Sequence, residues 1–482
     1  MFDLRPVGYV SGLLVAALGA TMLVPMGLDM VYRNGHWLIF LESAVLTVAV
    51  GASVAVACAN GVRERMTLQQ TFLVTTSVWL ILPVFGALPF ILGPPDATVV
   101  DAFFEAMSGM TTTGATVFTE LETLPEGTLL WRSMLQWFGG VGIIVVAMAF
   151  LPELRVGGMQ IFRSEAFDTG GKVLPRAAEI ASRISVIYVV LTGACALAYL
   201  GTGLSAFDAL NHALTTISTG GFSTSDASFG AFQGAPEYVA SVFMILASLP
   251  FVRFVQIAAG QAQPIFVDSQ VRTYLWIIAI LVCVMALYRV VANGDYAEHA
   301  FREGLFNVTS IISGTGYASV DYQLWGGFAV VAFFFIGLIG GCAGSTACSI
   351  KVFRYQLLFA SIRAQVGKIH APHGVFTPRF EGRPVGADVL NSVMSFFVAF
   401  IVLMGVTSVL LALTGEDTVT AVSGAAAALA NIGPGLGDKI GPAGNFSEIS
   451  ETGKWLLSLA MLVGRLEVMA VLVILTARFW RG

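Results

Sequence analysis

Along this chain apolar residues gather in long runs with almost no charge, divided by short polar stretches. Ten runs, 8–31, 37–60, 68–93, 129–152, 183–203, 236–259, 272–293, 324–348, 387–414 and 453–478, each come near the roughly 20 residues that span a bilayer core. The pattern predicts ten transmembrane helices. Four shorter apolar segments, 98–112, 206–218, 297–313 and 418–431, lie between later pairs of runs and are introduced by Asp96, Ser205, Asp295 and Asp417 as helix caps. Three to four turns are too few to cross. Each short helix is expected to enter from the outer face, stop midway and point its C-terminal carbonyls, the negative end of its dipole, at the bilayer centre.

Every short helix runs into a Gly-centred tetrad: Thr112-Thr113-Gly114-Ala115, Ser218-Thr219-Gly220-Gly221, Gly314-Thr315-Gly316-Tyr317 and Asn431-Ile432-Gly433-Pro434. The central glycines are 106, 96 and 117 residues apart (114 to 220, 220 to 316, 316 to 433), a fourfold internal repeat of helix, re-entrant loop and helix. Irregular backbone at membrane depth must be buried or line water. Glycine accepts the positive φ that turns successive carbonyls toward one axis, and the neighbouring Thr hydroxyls can add oxygens to that ring. One isolated Thr-Thr-Gly would be an ordinary helix end; repetition at one position in four units points to an ion filter. No carboxylate lies in any tetrad, so neutral dipoles would select a weakly hydrated monovalent ion such as K⁺ over Ca²⁺ or Mg²⁺. The expected architecture is all-α and membrane-integral. A helix pair occupies 1–62, and pore units occupy 63–155, 156–262, 263–362 and 363–482.

Composition agrees: 56% of the 482 residues are hydrophobic and 11% charged, about half the charged fraction of a soluble domain. The first run carries Pro25 and Asp29 near its end in place of a small-residue cleavage site, so it is expected to be a retained helix. Five cysteines without CxxC spacing are expected to be buried thiols, neither disulfides nor metal ligands. If every run crosses once, 18 of the 25 Lys and Arg fall on the side of the N-terminus, which makes that side, and both termini, cytoplasmic. Of the 30 acids, 20 fall opposite, an outer vestibule that concentrates cations. The cell membrane, the inner one in a bacterium, is the implied location.

The tetrads, most clearly Met107-Ser108-Gly109-Met110-Thr111-Thr112-Thr113-Gly114-Ala115-Thr116, resemble the filter segments of the Trk/Ktr superfamily of K⁺ transporters. Two further stretches are similar to its Trk-type membrane subunit: Gly340-Gly341-Cys342-Ala343-Gly344-Ser345-Thr346 followed by Ser349-Ile350-Lys351, and Gly464-Arg465-Leu466-Glu467. The similarity covers nearly the whole chain. It implies K⁺ uptake, a homodimer with one pore per protomer, and a cytosolic nucleotide-binding regulatory ring of the TrkA type. It also implies that the loop containing Gly340, Gly341, Gly344, Ser345 and Thr346 obstructs the pore below the filter. The fourth tetrad departs from the others, with Ile432 in place of Thr and Pro434 after the glycine. The resemblance implies one aligned glycine per repeat, against two in the TVGYG loops of K⁺ channels, and hence a shorter filter and looser K⁺/Na⁺ discrimination.

The glycines between Gly337 and Ser349 independently predict a broken helix, because each costs about 1 kcal/mol relative to Ala in a helix. A helix-packing surface of small residues is the alternative use of such a run. Arg465 falls near the middle of a run of about 25 residues, where an unpaired charge costs at least about 2.5 kcal/mol. A pore-facing gate charge that holds the loop is the preferred role, with an ion pair to a neighbouring helix as the alternative. Basic residues mark 351–384 as a cytoplasmic segment, which with 153–182 would dock the cytosolic partner.

Gly435-Leu436-Gly437-Asp438 spells the GxGD of intramembrane proteases, but it sits toward the outer mouth, and no HExxH, GxSxG, Walker A or GxGxxG sequence occurs. No enzyme activity, cofactor or nucleic-acid partner is expected; K⁺ is cargo. An inverted-repeat solute or ion symporter is the rival class. Two crossings per unit would keep all four units in one orientation, whereas inversion needs an odd number.

Overall fold

In hydrocarbon a backbone N–H finds no water, so apolar runs must close their own hydrogen bonds as helices. The computed structural model describes residues 3–61, 66–149, 157–162 and 173–481. Its main helices are α1 (Arg5–Thr21), α2 (Leu23–Tyr32), α3 (Trp37–Cys58), α4 (Leu68–Gly86), α5 (Val99–Met110), α6 (Glu126–Ala149), α7 (Val173–Gly201), α8 (Ala206–Ile217) and α9 (Ala235–Ala247). They continue with α10 (Phe251–Ala258), α11 (Ser269–Tyr288), α12 (Ala297–Ser313), α13 (Gly327–Gly337), α14 (Val352–His370), α15 (Ala387–Leu413), α16 (Thr418–Ala430), α17 (Glu451–Arg465) and α18 (Met469–Ile474). Among the described residues the strands are one two-residue pair, Arg379–Phe380 with Arg383–Pro384, so the protein is an all-α membrane protein.

Among the described residues seven helices are long and apolar enough to cross a bilayer, eight if α9 and α10, bent by 90°, count as one. Three of the ten apolar runs are not continuous helices, so a crossing made by any of them is a broken one. The run 236–259 breaks at Ser248–Pro250, where proline lacks an N–H. The run 324–348 ends as a helix at Gly337. The run 453–478 stops at Arg465 and restarts at Met469, with Glu467 and Val468 at positive φ between them.

The short helices α5, α8, α12 and α16 have 12, 12, 17 and 13 residues. Ser205 and Asp417 cap α8 and α16, accepting from the N–H of Asp208 and Thr420 at 3.0 Å each. Asp96 and Asp295 do not cap. Thr98 caps α5, and Asp295 lies one residue too early, before the N-cap Tyr296, with its carboxylate on Arg289 at 2.8 Å.

Small residues let α1 and α3 approach closely: a Cβ on Gly12 would lie 2.7 Å from the Gly51 carbonyl oxygen. Asp29 of α2 ties that helix to α6 by accepting from the Gly127 N–H at 2.7 Å, at the positive end of the α6 dipole. The segment 351–384 is largely helical, α14 followed by the strand pair. Of the segment 153–182, residues 153–156 and 163–172 lie outside the described residues.

Candidate ion pathway

Each short helix ends in the same turn. Positive φ recurs at Thr112 and Gly114, at Thr219 and Gly221, at Gly314 and Gly316, and at Asn431 and Gly433. The residue between each pair donates its N–H five residues back: Thr113 to Ser108, Gly220 to Thr215, Thr315 to Ser310 and Ile432 to Ala427, at 2.8, 2.8, 2.9 and 3.0 Å. This is the 6→1 bond of a Schellman helix end, in which a left-handed residue lets the backbone reverse. It corrects the register of the second tetrad. Gly221, not Gly220, is the counterpart of Gly114, Gly316 and Gly433, and Ser218 falls level with Thr111. A double glycine hides this in the sequence; the distance from the helix end fixes it.

The four turns close into a ring. A Cβ on Gly114 would lie 2.2 Å from the Gly220 carbonyl oxygen, on Gly221 1.9 Å from that of Thr315, on Gly316 1.8 Å from that of Ile432, and on Gly433 2.8 Å from that of Thr113. Each glycine thus abuts the carbonyl of the next turn in cyclic order, and each is one residue beyond a carbonyl of the same set. The C-termini of α5, α8, α12 and α16 immediately precede this ring, so four negative dipole ends face it. The hydroxyls pair locally, Thr111 with Thr113 at 2.8 Å and Ser313 with Thr315 at 2.7 Å. In the fourth turn, where Ile432 has no hydroxyl, Asn431 donates to Thr113 Oγ1 at 2.9 Å.

A polar side chain in each short helix holds the strand that leaves the ring. Glu105 accepts from the Val117 N–H at 2.9 Å, His212 Nε2 meets Ser223 Oγ at 3.0 Å, Asn307 accepts from the Ser319 N–H at 3.2 Å, and Ser423 Oγ accepts from the Leu436 N–H at 2.8 Å. These residues precede the turn glycines by nine, nine, nine and ten positions. Different side chains do one job, which is why the repeat is not apparent until the glycines are aligned. Gln136 adds a strap to one turn only, donating to the Gly220 carbonyl at 2.6 Å and accepting from Phe222 N–H at 3.0 Å.

Outside the ring lies a cavity of about 150 Å³ lined by all four turn glycines. Five cations of this face are in ion pairs: Arg132 with Glu105, Arg289 with Glu303, Arg302 with Glu298, Lys439 with Glu416 and Lys454 with Asp101, at 2.8, 2.5, 2.9, 2.9 and 2.6 Å. They are therefore neutralised, which leaves the acidic excess. The Ser225 hydroxyl, donating at 2.6 Å, holds the Glu122 carboxyl below the usual range, so this acid stays charged near the mouth.

Inside the ring, α13 stops at Gly337 and the chain does not re-form helix until Val352. The break in the run 236–259 receives this loop: Cys342 N–H donates to the Ser248 carbonyl at 3.0 Å, and Thr346 Oγ1 to that of Ala247 at 3.0 Å. Cys348 Sγ lies 3.7 Å from Thr112 Oγ1, directly beneath the first turn. Arg465 donates to Cys348 Sγ, to the Thr346 carbonyl at 3.4 Å and to the Gly139 carbonyl at 3.2 Å, with Trp79 5.5 Å from its guanidinium. Among the described residues its hydrogen-bond partners are thus carbonyls and a thiol, with no carboxylate. Glu467 pairs instead with Lys351 at 2.9 Å and with Arg354. Arg465 and Glu467 accordingly grip the loop segment near its middle and at its end.

A family model described as TrkH, cation transport protein, matches residues 38–481. The Trk system potassium uptake protein TrkI of Halomonas elongata is 42% identical over 414 residues, 86% of this chain and 84% of its own length. The Trk system potassium uptake protein TrkH of Vibrio parahaemolyticus is 37% identical over 491 residues, 99% of each chain. The crystal structure of the potassium transporter TrkH from Vibrio parahaemolyticus matches with a TM-score of 0.92, 35% identity and full coverage of both chains. Sequence, fold and ring geometry converge on one conclusion: this chain belongs to the TrkH family of cation transport proteins, transporters of Trk potassium uptake systems.

Proposed function

We propose that this chain is the K⁺-translocating subunit of a bacterial-type uptake system, with Thr112–Gly114, Thr219–Gly221, Gly314–Gly316 and Asn431–Gly433 as its filter. The cyclic contact of each turn glycine with the next turn's carbonyl carries this reading. Four backbone segments so disposed surround one axis and offer neutral oxygens to a dehydrated monovalent cation. The loop at Gly340–Thr346 and Arg465 form the gate: Cys348 sits under the filter, and the buried guanidinium beside it opposes a cation leaving downward. Flux follows the membrane potential, worth about 2.3 kcal/mol per charge per 100 mV.

In this reading the pore units are 63–155, 156–262, 263–362 and 363–482, behind the helix pair 1–62. Both termini face the cytoplasm across the inner membrane. The protein works as a homodimer and engages a nucleotide-binding regulatory subunit through 153–182 and 351–384. Flux into proteoliposomes under K⁺, Rb⁺ and Na⁺ gradients tests the assignment. K⁺ and Rb⁺ should carry most of the flux; equal Na⁺ flux, or no cation flux with the partner ring present, overturns it.

A further inference from the structure

A second cavity, about 500 Å³, opens between α1, α4 and α6 and is lined by Leu14, Trp79, Met110, Phe138, Val141 and Val145 among others. Three of the lining side chains carry hydroxyls, and each donates within its own helix: Thr21 to the Leu18 carbonyl at 2.7 Å, Thr75 to that of Thr71 at 2.8 Å and Ser185 to that of Ala181 at 2.9 Å. Among the described residues no charged group lines it. The three hydroxyls are thus spent inside their own helices and the wall is otherwise almost wholly apolar, and a void of this size would forfeit the dispersion contacts of its whole wall.

Its depth identifies the occupant. Leu14, Trp79 and Val141 lie well inside the spans Arg5–Tyr32, Gln69–Leu92 and Glu126–Val146, where the surrounding solvent is hydrocarbon. Leu14 and Ala17 leave the cavity exposed on its α1 side. An engineered apolar cavity of about 150 Å³ takes up benzene, so roughly three times that volume suits an alkyl chain of on the order of sixteen carbons. We propose that this cavity binds an acyl chain of a bilayer phospholipid. The site lies behind the gate region without belonging to it: the Trp79 ring separates the cavity from the Arg465 guanidinium, 5.5 Å away. An acyl chain there packs against the wall that backs Arg465. The assignment stands on the cavity alone and is independent of the filter reading.

Bromine on an acyl chain quenches nearby indoles, and Trp79 is a built-in reporter. The full-length protein is reconstituted with phosphatidylethanolamine and phosphatidylglycerol carrying dibrominated or ordinary stearoyl chains. The Trp79 signal is the difference between the parent and Trp79→Phe. Bromolipid should quench that signal in the parent, and Ala17→Phe, which fills the mouth, should restore it while quenching of the other tryptophans is unchanged. A Trp79 signal unaffected by bromolipid, or equally quenched in Ala17→Phe, overturns the proposal. Cross-linking of Ala17→Cys between two copies, without quenching, assigns the groove to a second copy and likewise overturns it.

Discussion

Substituting Gly221 by Ala tests the ring and its register together. Gly221 sits at φ 80°, where an L-residue costs roughly 1–2 kcal/mol, and its new Cβ would lie 1.9 Å from the Thr315 carbonyl oxygen. Ordinary contact begins at 3.4 Å, so that carbonyl must move by about 1.5 Å (3.4 − 1.9). An oxygen displaced that far no longer coordinates an ion held by its three counterparts. Loss of only about 1.4 kcal/mol of preference for K⁺ is a tenfold loss of selectivity, so Gly221→Ala should lower the K⁺/Na⁺ permeability ratio at least about tenfold. Gly220→Ala, one residue away, keeps an ordinary φ and meets the Gln136 side chain instead of a ring carbonyl, so its effect on selectivity should be smaller. The same distances rank the ring: Gly316→Ala and Gly221→Ala most severe, Gly114→Ala next, Gly433→Ala mildest, from 1.8, 1.9, 2.2 and 2.8 Å. Diffusion-potential measurements in proteoliposomes give the ratio for each variant. A Gly221→Ala protein with parental selectivity beside a Gly220→Ala protein without it would refute the register, and unchanged selectivity in all four ring variants would refute the filter.

Three further outcomes follow from the same geometry. Arg465→Ala should raise K⁺ flux by as much as a hundredfold, because a unit charge about 5 Å from the ion at an effective dielectric of about 20 costs roughly 3 kcal/mol; Arg465→Lys should stay near parental flux, and an unfolded Arg465→Ala protein would leave Arg465 a structural role only. Deleting Gly340–Thr346 should raise flux and weaken its dependence on the cytosolic partner, and a well-folded deletion with reduced flux would make the loop a scaffold. Glu105→Ala leaves the buried Arg132 without its carboxylate and the Val117 N–H without its acceptor, so it should destabilise by about 3–5 kcal/mol, read as a lower thermal midpoint; an unchanged midpoint would contradict the pairing.

The long helices and the four turns were legible because each is written locally. An uninterrupted apolar run leaves the backbone no partner but itself, and a glycine after a short capped helix marks a left-handed residue. What the chain hides is set by partners distant in sequence. Glu105, His212, Asn307 and Ser423 share a task but not a chemistry, so no repeat is visible until their turns are superposed. Asp96 and Asp295 have the right chemistry for caps but stand too early, because the helices they precede begin at Val99 and Ala297.

The breaks in the helices that follow the short ones show the same limit at the place where function is argued. The run at Gly340–Thr346 signals its own interruption through glycine, and Pro250 signals another, yet nothing in Leu466-Glu467-Val468 would stop a helix. There the cause is electrostatic: Glu467 turns out of the helix to meet Lys351 and Arg354 at the end of the loop, and the chain yields to keep three buried charges together. The Ser248 break supplies the loop's other support, since a bent helix frees the carbonyls of Ala247 and Ser248, and both accept from the loop. The loop is therefore suspended between two interrupted helices, each with polar groups left over by its interruption. Opening must offer those carbonyls and the Arg465 guanidinium new partners, since a buried polar group left unpaired costs about 1–3 kcal/mol, more if charged. In the gate proposed above, water entering the pore would provide them, so wetting of the pathway and release of the loop are expected to be one event.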